Sequence, residues 1–212
     1  MADQFPHVIN GVAEIDTANI IFGYMANSDT LALLKYRSVS MGWRNTIDSQ
    51  TLLWSRMSLR RAIRQNRIDI CQLIVKYAPE KNRPDRWRKT PLHEAARRGQ
   101  ADICQLLMDH VNDKNPGDFS GTTPLHLAAR EGLVDICRLI LDRVKDQNPV
   151  NQAGWTPLHV AAAHGHTDVC RLIAERVEDL SPVTVSGWTP LALADRGGHR
   201  ETGRLLRNTV SQ

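Results

Sequence analysis

The sequence predicts an all-α solenoid of helix-turn-helix units joined by short hairpin loops and preceded by a small helical domain. The first observation is a Thr-Pro-Leu-His motif at residues 90–93 that returns at 123–126 and 156–159, and as Thr-Pro-Leu-Ala at 189–192. The second is an apolar stripe of helical spacing in the second half of each unit. A fixed period of 33 residues is typical of repeat architectures, in which each unit buries its apolar face against its neighbours.

The period divides the chain from residue 57 onward into five units. In the first unit only Leu59 of the motif remains, but the Asp-Ile-Cys-Gln-Leu segment at 69–73 returns at 102–106. The predicted units are 57–89, 90–122, 123–155, 156–188 and 189–212. Both the period and the motif resemble those of ankyrin repeats, and the resemblance implies a protein-binding stack with a concave recognition surface.

Within a unit, Thr-Pro predicts the start of a first helix. Proline fits the first turn, where its missing N–H has no helical partner, and the threonine hydroxyl can cap the helix. Gly132 and Gly165 are predicted to end this helix.

The apolar stripe predicts a second helix that packs on the neighbouring unit, and in the last unit it becomes polar, as an end cap requires. The stripe comprises Cys104, Leu107, Met108 and Val111 in the second unit, Cys137, Ile140, Leu141 and Val144 in the third, and Cys170, Ile173, Ala174 and Val177 in the fourth.

Composition and charge limit the classes of function that the protein can have. The net charge of +4 divides into four Lys/Arg and five Asp/Glu in residues 1–56, and a surplus of five positive charges in the repeats. This balance suits an acidic partner but lacks the dense basic clusters expected of a nucleic-acid-binding protein. The start of the chain shows no secretory pattern, and no run approaches the ~20 apolar residues of a membrane span. A cytosolic or nuclear protein without membrane contact is expected.

The cysteines and histidines follow the repeat, so they are predicted to be structural. Stacked helices lie about 8–10 Å apart, too far for neighbouring thiols to form a disulfide or a zinc site. Buried thiols and no bound metal or cofactor are therefore predicted, and His164-Gly165-His166 is interpreted as repeat architecture rather than a metal site. The residues concerned are Cys71, Cys104, Cys137 and Cys170, and His93, His126 and His159.

No phosphate-binding loop, nucleophile elbow or pair of motif carboxylates appears in the sequence, so the protein is predicted not to be an enzyme.

Residues 13–56 carry a different pattern, and residues 1–12 are expected to be a flexible N-terminus. Short apolar runs at helical spacing predict two or three short helices. The order Ile-Phe-Gly-Tyr-Met, Asp29, Val-Ser-Met-Gly-Trp-Arg and Leu-Trp resembles an F-box. The resemblance implies a contact with the Skp adaptor of a cullin ubiquitin ligase. The candidate contacts are Ile21, Phe22, Met25, Leu31, Trp43 and Trp54.

Two functions follow from these domains. In the first, the protein is a substrate receptor whose N-terminal helices hold the adaptor while its repeats hold a target. In the second, it is a scaffold or inhibitor whose N-terminal helices only cap the stack by packing on Leu59, Ile63 and Ile70.

The target is predicted to bind at the hairpin tips and at the exposed ends of the first helices. Arginines and exposed aromatics, which are enriched at interface hot spots, occur there, and an acidic or phosphorylated segment is the expected ligand. The side chains of Arg97 and Arg98 are expected to be solvated, whereas Trp155 and Trp188 either bind the target or merely cover their hairpins. The candidates are Arg86, Trp87, Lys89, Arg97, Arg98, Phe119, Arg130, Glu131, Trp155, His164, Trp188 and Arg196.

Overall fold

Helices joined alternately by short turns and by longer hairpin loops, with no strand, make up the residues that the computed structural model describes, 59–77 and 83–210. This agrees with the predicted all-α class. After helical residues 59–64, the helices are α1 (Ile68–Tyr77), α2 (Pro91–Arg97), α3 (Ala101–Asp109), α4 (Pro124–Arg130), α5 (Val134–Leu141), α6 (Pro157–Ala163), α7 (Thr167–Ala174), α8 (Pro190–Arg196) and α9 (Arg200–Val210).

The helices form two layers, as expected of a solenoid. The first helices of successive units, α2, α4, α6 and α8, pack on one another in sequence order. The second helices, α1, α3, α5, α7 and α9, make the other layer, and each pair of helices within a unit also packs together. Among the described residues, neighbouring units therefore pack together through both layers, which makes stability depend on the interfaces between units.

The ends of the first helices follow the predicted chemistry. Proline occupies the first turn of each, and the hydroxyls of Thr123 and Thr156 accept the N–H of the histidine three residues later. Just after the C-terminal ends of α4 and α6, Gly132 and Gly165 take φ values of +72° and +74°, which residues with a side chain rarely adopt. At the start of α8, the hydroxyl of Thr189 likewise accepts the backbone N–H of Ala192.

The core consists of the apolar stripes of the second helices and small residues of the first helices. Leu125, Ala128 and Ala129 of α4 are fully buried, and α2 and α6 repeat the pattern. Because alanine has a small side chain, the two layers can approach closely. The stripe members that are buried are Cys104, Leu107, Met108, Cys137, Ile140, Leu141, Cys170 and Ile173.

The last member of each predicted stripe lies outside its helix. The backbone N–H of Arg143 bonds to the carbonyl of Ile140, three residues back, so the chain tightens and leaves the helix after Leu141. Val144 and Val177 still pack against the core, half-buried, from the segments that follow α5 and α7. The spacing therefore identified the contact but made the helix one turn too long.

One side chain at a fixed repeat position organises each hairpin turn. The carboxylate of Asp118 accepts the backbone N–H groups of Ser120 and Thr122 at 2.8 and 3.0 Å. At the equivalent position, Asp85 and Asn151 do the same in their own hairpins, and the hydroxyl of Thr184 accepts one such bond. Side chains of this kind stabilise turns by replacing a backbone acceptor.

The first unit departs from the glycine pattern at its hairpin. Gly121, Gly154 and Gly187 take φ between +76° and +80°, whereas the equivalent residue of the first unit is Arg88, at +59°. A residue with a side chain pays about 1–2 kcal/mol for this conformation. The first hairpin therefore carries backbone strain that the other hairpins avoid.

Replacing Arg88 by glycine is expected to raise the free energy of unfolding by about 0.5–1 kcal/mol, since relief of strain exceeds the greater flexibility of glycine in the unfolded chain. The midpoint of urea denaturation measures the effect. Asn66→Gly is the control, because Asn66 also has positive φ (+54°) but asparagine tolerates it. An equal gain in both variants, or none for Arg88→Gly, would contradict the strain assigned to Arg88.

Candidate functional site

The hairpin tips, residues 85–89, 118–122, 151–155 and 184–188, are joined into one row. The backbone N–H of Phe119 donates to the carbonyl of Trp87 at 3.1 Å. Gln152 donates in the same way to Ser120, at 2.9 Å, and Val185 to Ala153, at 3.1 Å. We call this continuous, hydrogen-bonded edge the tip row.

The motif histidines tie each first helix to the hairpin that ends its unit. Nε2 of His126 donates to the carbonyl of Trp155 at 2.9 Å, while Nδ1 accepts the backbone N–H of Thr123 at 3.2 Å. His93 and His159 make the same pair of bonds. The predicted structural role of these histidines is confirmed.

Arg60 takes the place of histidine in the first unit. Its guanidinium donates to the carbonyl of Lys89 and lies 3.7 Å from the carboxylate of Asp85. The same helix-to-hairpin tie is thus made by a different residue type, a substitution that the weak motif at residues 57–60 did not reveal.

A second set of ties joins residues that directly precede second helices to the last turn of the first helix in the preceding unit. Nε2 of His166 donates to the carbonyl of Arg130 at 2.8 Å, and Nε2 of His199 to that of Ala163 at 3.1 Å. Gln100 occupies the equivalent position and bonds to the carbonyl of Ile63.

The His164-Gly165-His166 segment is arranged for these ties. The rings of His164 and His166 lie parallel with centroids 6.1 Å apart, and Nδ1 of His164 donates to the carbonyl of Val160. Among the residues described, no three metal-ligating side chains come together.

Most predicted target-binding residues are exposed. Trp87 and Phe119 are the largest exposed side chains of the tip row, at 56% and 57% of their maximum accessibility. The guanidinium of Arg86 lies 4.9 Å from the centre of the Trp87 ring, a cation–π arrangement. Exposed as well are Lys89, Arg97, Arg98, Arg130, Glu131, His164 and Arg196.

Trp155 and Trp188 are only half-buried, and each contacts its own stack. The Trp155 ring lies 6.2 Å from that of His159, and the guanidinium of Arg196 lies 4.9 Å from the Trp188 ring. These contacts support the alternative in which the two tryptophans cover their hairpins. Part of each ring remains available to a ligand.

Arg97 and Arg98 are exposed, as expected from the sequence, but both guanidinium groups form ion pairs. Both pair with Glu94: Nε of Arg98 lies 2.6 Å from its carboxylate and the guanidinium of Arg97 lies 3.3 Å away. The three residues lie three and four positions apart on one helix face, where such pairs form. The two guanidinium groups lower the pKa of the Glu94 carboxyl against the opposing effect of burial.

The strongest positive charge lies in the first unit instead. Residues 57–89 contain ten Lys/Arg and three Asp/Glu, a net charge of +7, whereas residues 90–122 contain three and five, a net charge of −2. Arg61, Arg64 and Arg88 are exposed in this unit, and they are not among the binding residues predicted from the sequence. A charge count for each repeat, rather than for the whole stack, would have indicated them.

Comparison with known families identifies the repeats. A family model described as Ankyrin repeats (3 copies) matches residues 59–151 and again 143–211, which together make up well over half of the chain. The chain belongs to the ankyrin-repeat family. No curated protein matched it in a separate comparison.

Ankyrin repeats are generally protein-interaction modules and not enzymes, so the chain is a protein–protein interaction module. The tip row and the first-helix ends are the surfaces of this ankyrin stack that combine exposed aromatics with guanidinium groups. In the part of the chain that the structure describes, no helix has both the length and the apolar character to cross a membrane.

The predicted adaptor contacts all lie outside the described residues. They are Ile21, Phe22, Met25, Leu31, Trp43 and Trp54.

The four cysteines are free thiols, fully buried between the ankyrin second helices, as predicted. Burial raises the pKa of Cys71 to about 11 and those of Cys104, Cys137 and Cys170 to about 12. The reactive thiolate is therefore scarce at neutral pH.

We expect the native protein to show almost no reaction with a thiol-specific reagent at pH 8, and all four thiols to react after denaturation in guanidinium chloride. Burial both blocks access and suppresses the thiolate. Absorbance of the released chromophore counts the thiols, and rapid modification of even one in the native state would contradict the burial described here.

Proposed function

We propose that the ankyrin stack binds a segment of a partner protein along the tip row and the exposed ends of the first helices. The observation that carries the proposal is the pair of exposed aromatic rings, Trp87 and Phe119, on hairpins that are hydrogen-bonded to each other. Burial of large apolar rings by a partner makes the free energy of binding more favourable, and an ordered backbone limits the entropy lost on binding.

The direction of the tip row suits an extended ligand. The hairpins are linked one to the next by backbone bonds from Trp87 to Val185, so their exposed side chains form a line rather than an isolated patch. A segment lying along this line contacts several units at once, and its affinity is the sum of modest contributions with a few dominant residues.

A photo-crosslinking amino acid at Gln152 tests which face binds the partner. Gln152 is an exposed tip residue, so the partner is expected to be cross-linked from this position. Arg138, exposed on the second helix α5, is the matched control position on the other layer. Capture from Arg138 but not from Gln152 would place the recognition face on the second helices.

Once the partner is captured, Trp87→Ala and Phe119→Ala are expected to weaken its binding by about tenfold or more each, as truncation of an aromatic hot spot does. Titration calorimetry measures the change. Val150→Ala is the control, because it removes an exposed apolar side chain from outside the tips.

A more specific function rests on the sequence of residues 13–56. We propose that this F-box-like segment binds the Skp adaptor of a cullin ubiquitin ligase, so that the protein acts as a substrate receptor in the cytosol or nucleus. The mechanism is effective concentration, since a tethered target meets the ligase almost as in an intramolecular reaction. The order of apolar and aromatic residues in this segment supports it. The alternative is a scaffold or inhibitor that uses the same segment only as a cap.

Co-purification with the Skp adaptor distinguishes the two. The full-length protein is expected to retain the adaptor, whereas Phe22→Asp places a charge among the candidate contacts and is expected to abolish retention. Phe5→Asp, the same change in residues 1–12, is the matched control. If the parent protein retains no adaptor, the scaffold function is supported.

A further inference from the structure

Five exposed basic side chains of the first unit have no acidic partner among the described residues. They are Arg61, Arg64, Arg86, Arg88 and Lys89, and we call them the first-unit basic surface. The other guanidinium groups near them are occupied: Arg60 lies beside Asp85 and Arg67 beside Asp69.

The tie made by Arg60 brings the members of this surface together. Its guanidinium connects the helix that carries Arg61 and Arg64 to the hairpin that carries Arg88 and Lys89. Two short segments with uncompensated positive charge are thus held side by side.

Arg61 and Arg88 are both unfavourable for the stability of the first unit. At the repeat position of Arg61, the second unit has Glu94, which pairs with Arg97 and Arg98. Arg61 instead adds a third charge to a helix where like charges three and four residues apart repel. At the position of Arg88 three other hairpins have glycine, and Arg88 bears the strain of a positive φ. Backbone strain of this kind is found most often at functional sites.

We propose that the first-unit basic surface binds a short segment of the partner protein that is rich in aspartate and glutamate, and so fixes one end of the ligand on the stack. The proposal rests on the proposed function, since it assigns the chemistry of the ligand at one end of the tip row. Guanidinium groups bind carboxylates through paired hydrogen bonds, and four of the five residues are arginines.

A nucleic acid fits the charge pattern less well. Duplex DNA carries a negative charge about every 1.7 Å, so its binding calls for a long basic stripe. Here the positive charge is concentrated in one unit: residues 57–89 have a net charge of +7, whereas residues 90–122 and 156–188 each have a net charge of −2. A short acidic segment matches a single basic unit, and its continuation along the tip row meets the exposed aromatics.

The test measures binding of a fluorescent peptide of ten alternating Asp and Glu residues to the full-length protein by anisotropy. Arg61→Gln/Arg64→Gln is expected to weaken binding at least about tenfold, and Arg88→Gly several-fold while stabilising the protein. The matched control, Arg138→Gln/Arg171→Gln, removes two exposed charges from second helices and is expected to weaken binding less than about twofold. Higher salt is expected to weaken peptide binding in the parent.

Three results would overturn the proposal: no peptide binding by the parent protein, equal losses in the test and control pairs, or tighter binding of a single-stranded oligonucleotide of equal charge. Cross-linking of a partner at Gln152 distinguishes these failures from failure of the proposed function. If the partner is captured there while the peptide does not bind, the protein-binding function stands and only the acidic ligand is wrong. If neither occurs, both proposals fall.

Discussion

Replacing Gly154 by alanine is expected to destabilise the protein by about 2–5 kcal/mol. A β-carbon there would lie 2.7 Å from the backbone nitrogen of Val185 and 3.0 Å from Cα of Thr184. That nitrogen donates the hydrogen bond that joins the last two hairpins of the tip row, so the methyl group pushes the next hairpin away. Overpacking of this kind costs about 1–3 kcal/mol, and the positive φ of Gly154 adds about 1–2.

Two glycines at the same repeat position provide graded controls for Gly154→Ala. Gly187 has a similar φ of +80° but open space around its would-be β-carbon, and at Gly121 the nearest atom is 3.1 Å away. Gly187→Ala is expected to cost only about 1–2 kcal/mol, the conformational part alone, with Gly121→Ala between the two. Urea denaturation followed by circular dichroism gives the order. Equal losses at Gly154 and Gly187 would show that the approach of the hairpins contributes nothing.

The repeat architecture could be predicted from the sequence because its signals are local and periodic. Thr-Pro starts a helix, glycine ends it, and Cys137, Ile140 and Leu141 are buried together because they share one helix face. The end of α5 was placed too late, since a stripe of spacing i, i+7 does not show whether Val144 packs from a helix or from the turn after it. The ties between units have no such local signal. Only the structure shows that Arg60 performs the role of His93.

The exposure of the candidate binding residues could be predicted from the sequence, but their electrostatics could not. Exposure of Trp87 and Phe119 follows from the repeat offsets, which also place Arg97 and Arg98 on the surface. Which charges have an acidic partner depends on distances between side chains: Glu94 pairs with both Arg97 and Arg98, and no described acidic group pairs with Arg61 or Arg64. The adaptor contacts remain a prediction.

Acidification from pH 7.5 to 5.5 is expected to destabilise the ankyrin stack through its motif histidines. Burial lowers the pKa of His93, His126 and His159 despite the carbonyl that each ring faces. As the pH falls below about 6.5, these histidines bind protons in the unfolded chain but not in the folded chain. The free energy of unfolding is therefore highest above that pH and decreases below it. Each histidine lowers the free energy of unfolding by up to about 1.4 kcal/mol per pH unit of acidification, until the pH reaches the pKa of that histidine in the folded protein.

The physical reason lies in the two bonds of each ring. Nδ1 of His126 accepts an N–H from Thr123, and a proton on Nδ1 would place two donors against each other inside the core. Because a protonated Nδ1 no longer accepts this N–H, while Nε2 keeps its proton and its bond to the carbonyl of Trp155, protonation weakens the start of the first helix.

Urea denaturation at half-unit pH steps measures the slope, and NMR titration of the imidazole carbons assigns it to residues. The three buried rings are expected to titrate below pH 6.5, with slow exchange between folded and unfolded signals as the protein opens. His126→Gln identifies one ring by loss of its signal and is expected to reduce the pH slope while lowering stability at pH 7.5, because the bond to Trp155 is perturbed. If all three rings titrate at or above pH 6.5 in the folded protein, burial does not control their charge, and the ties they make must tolerate an imidazolium.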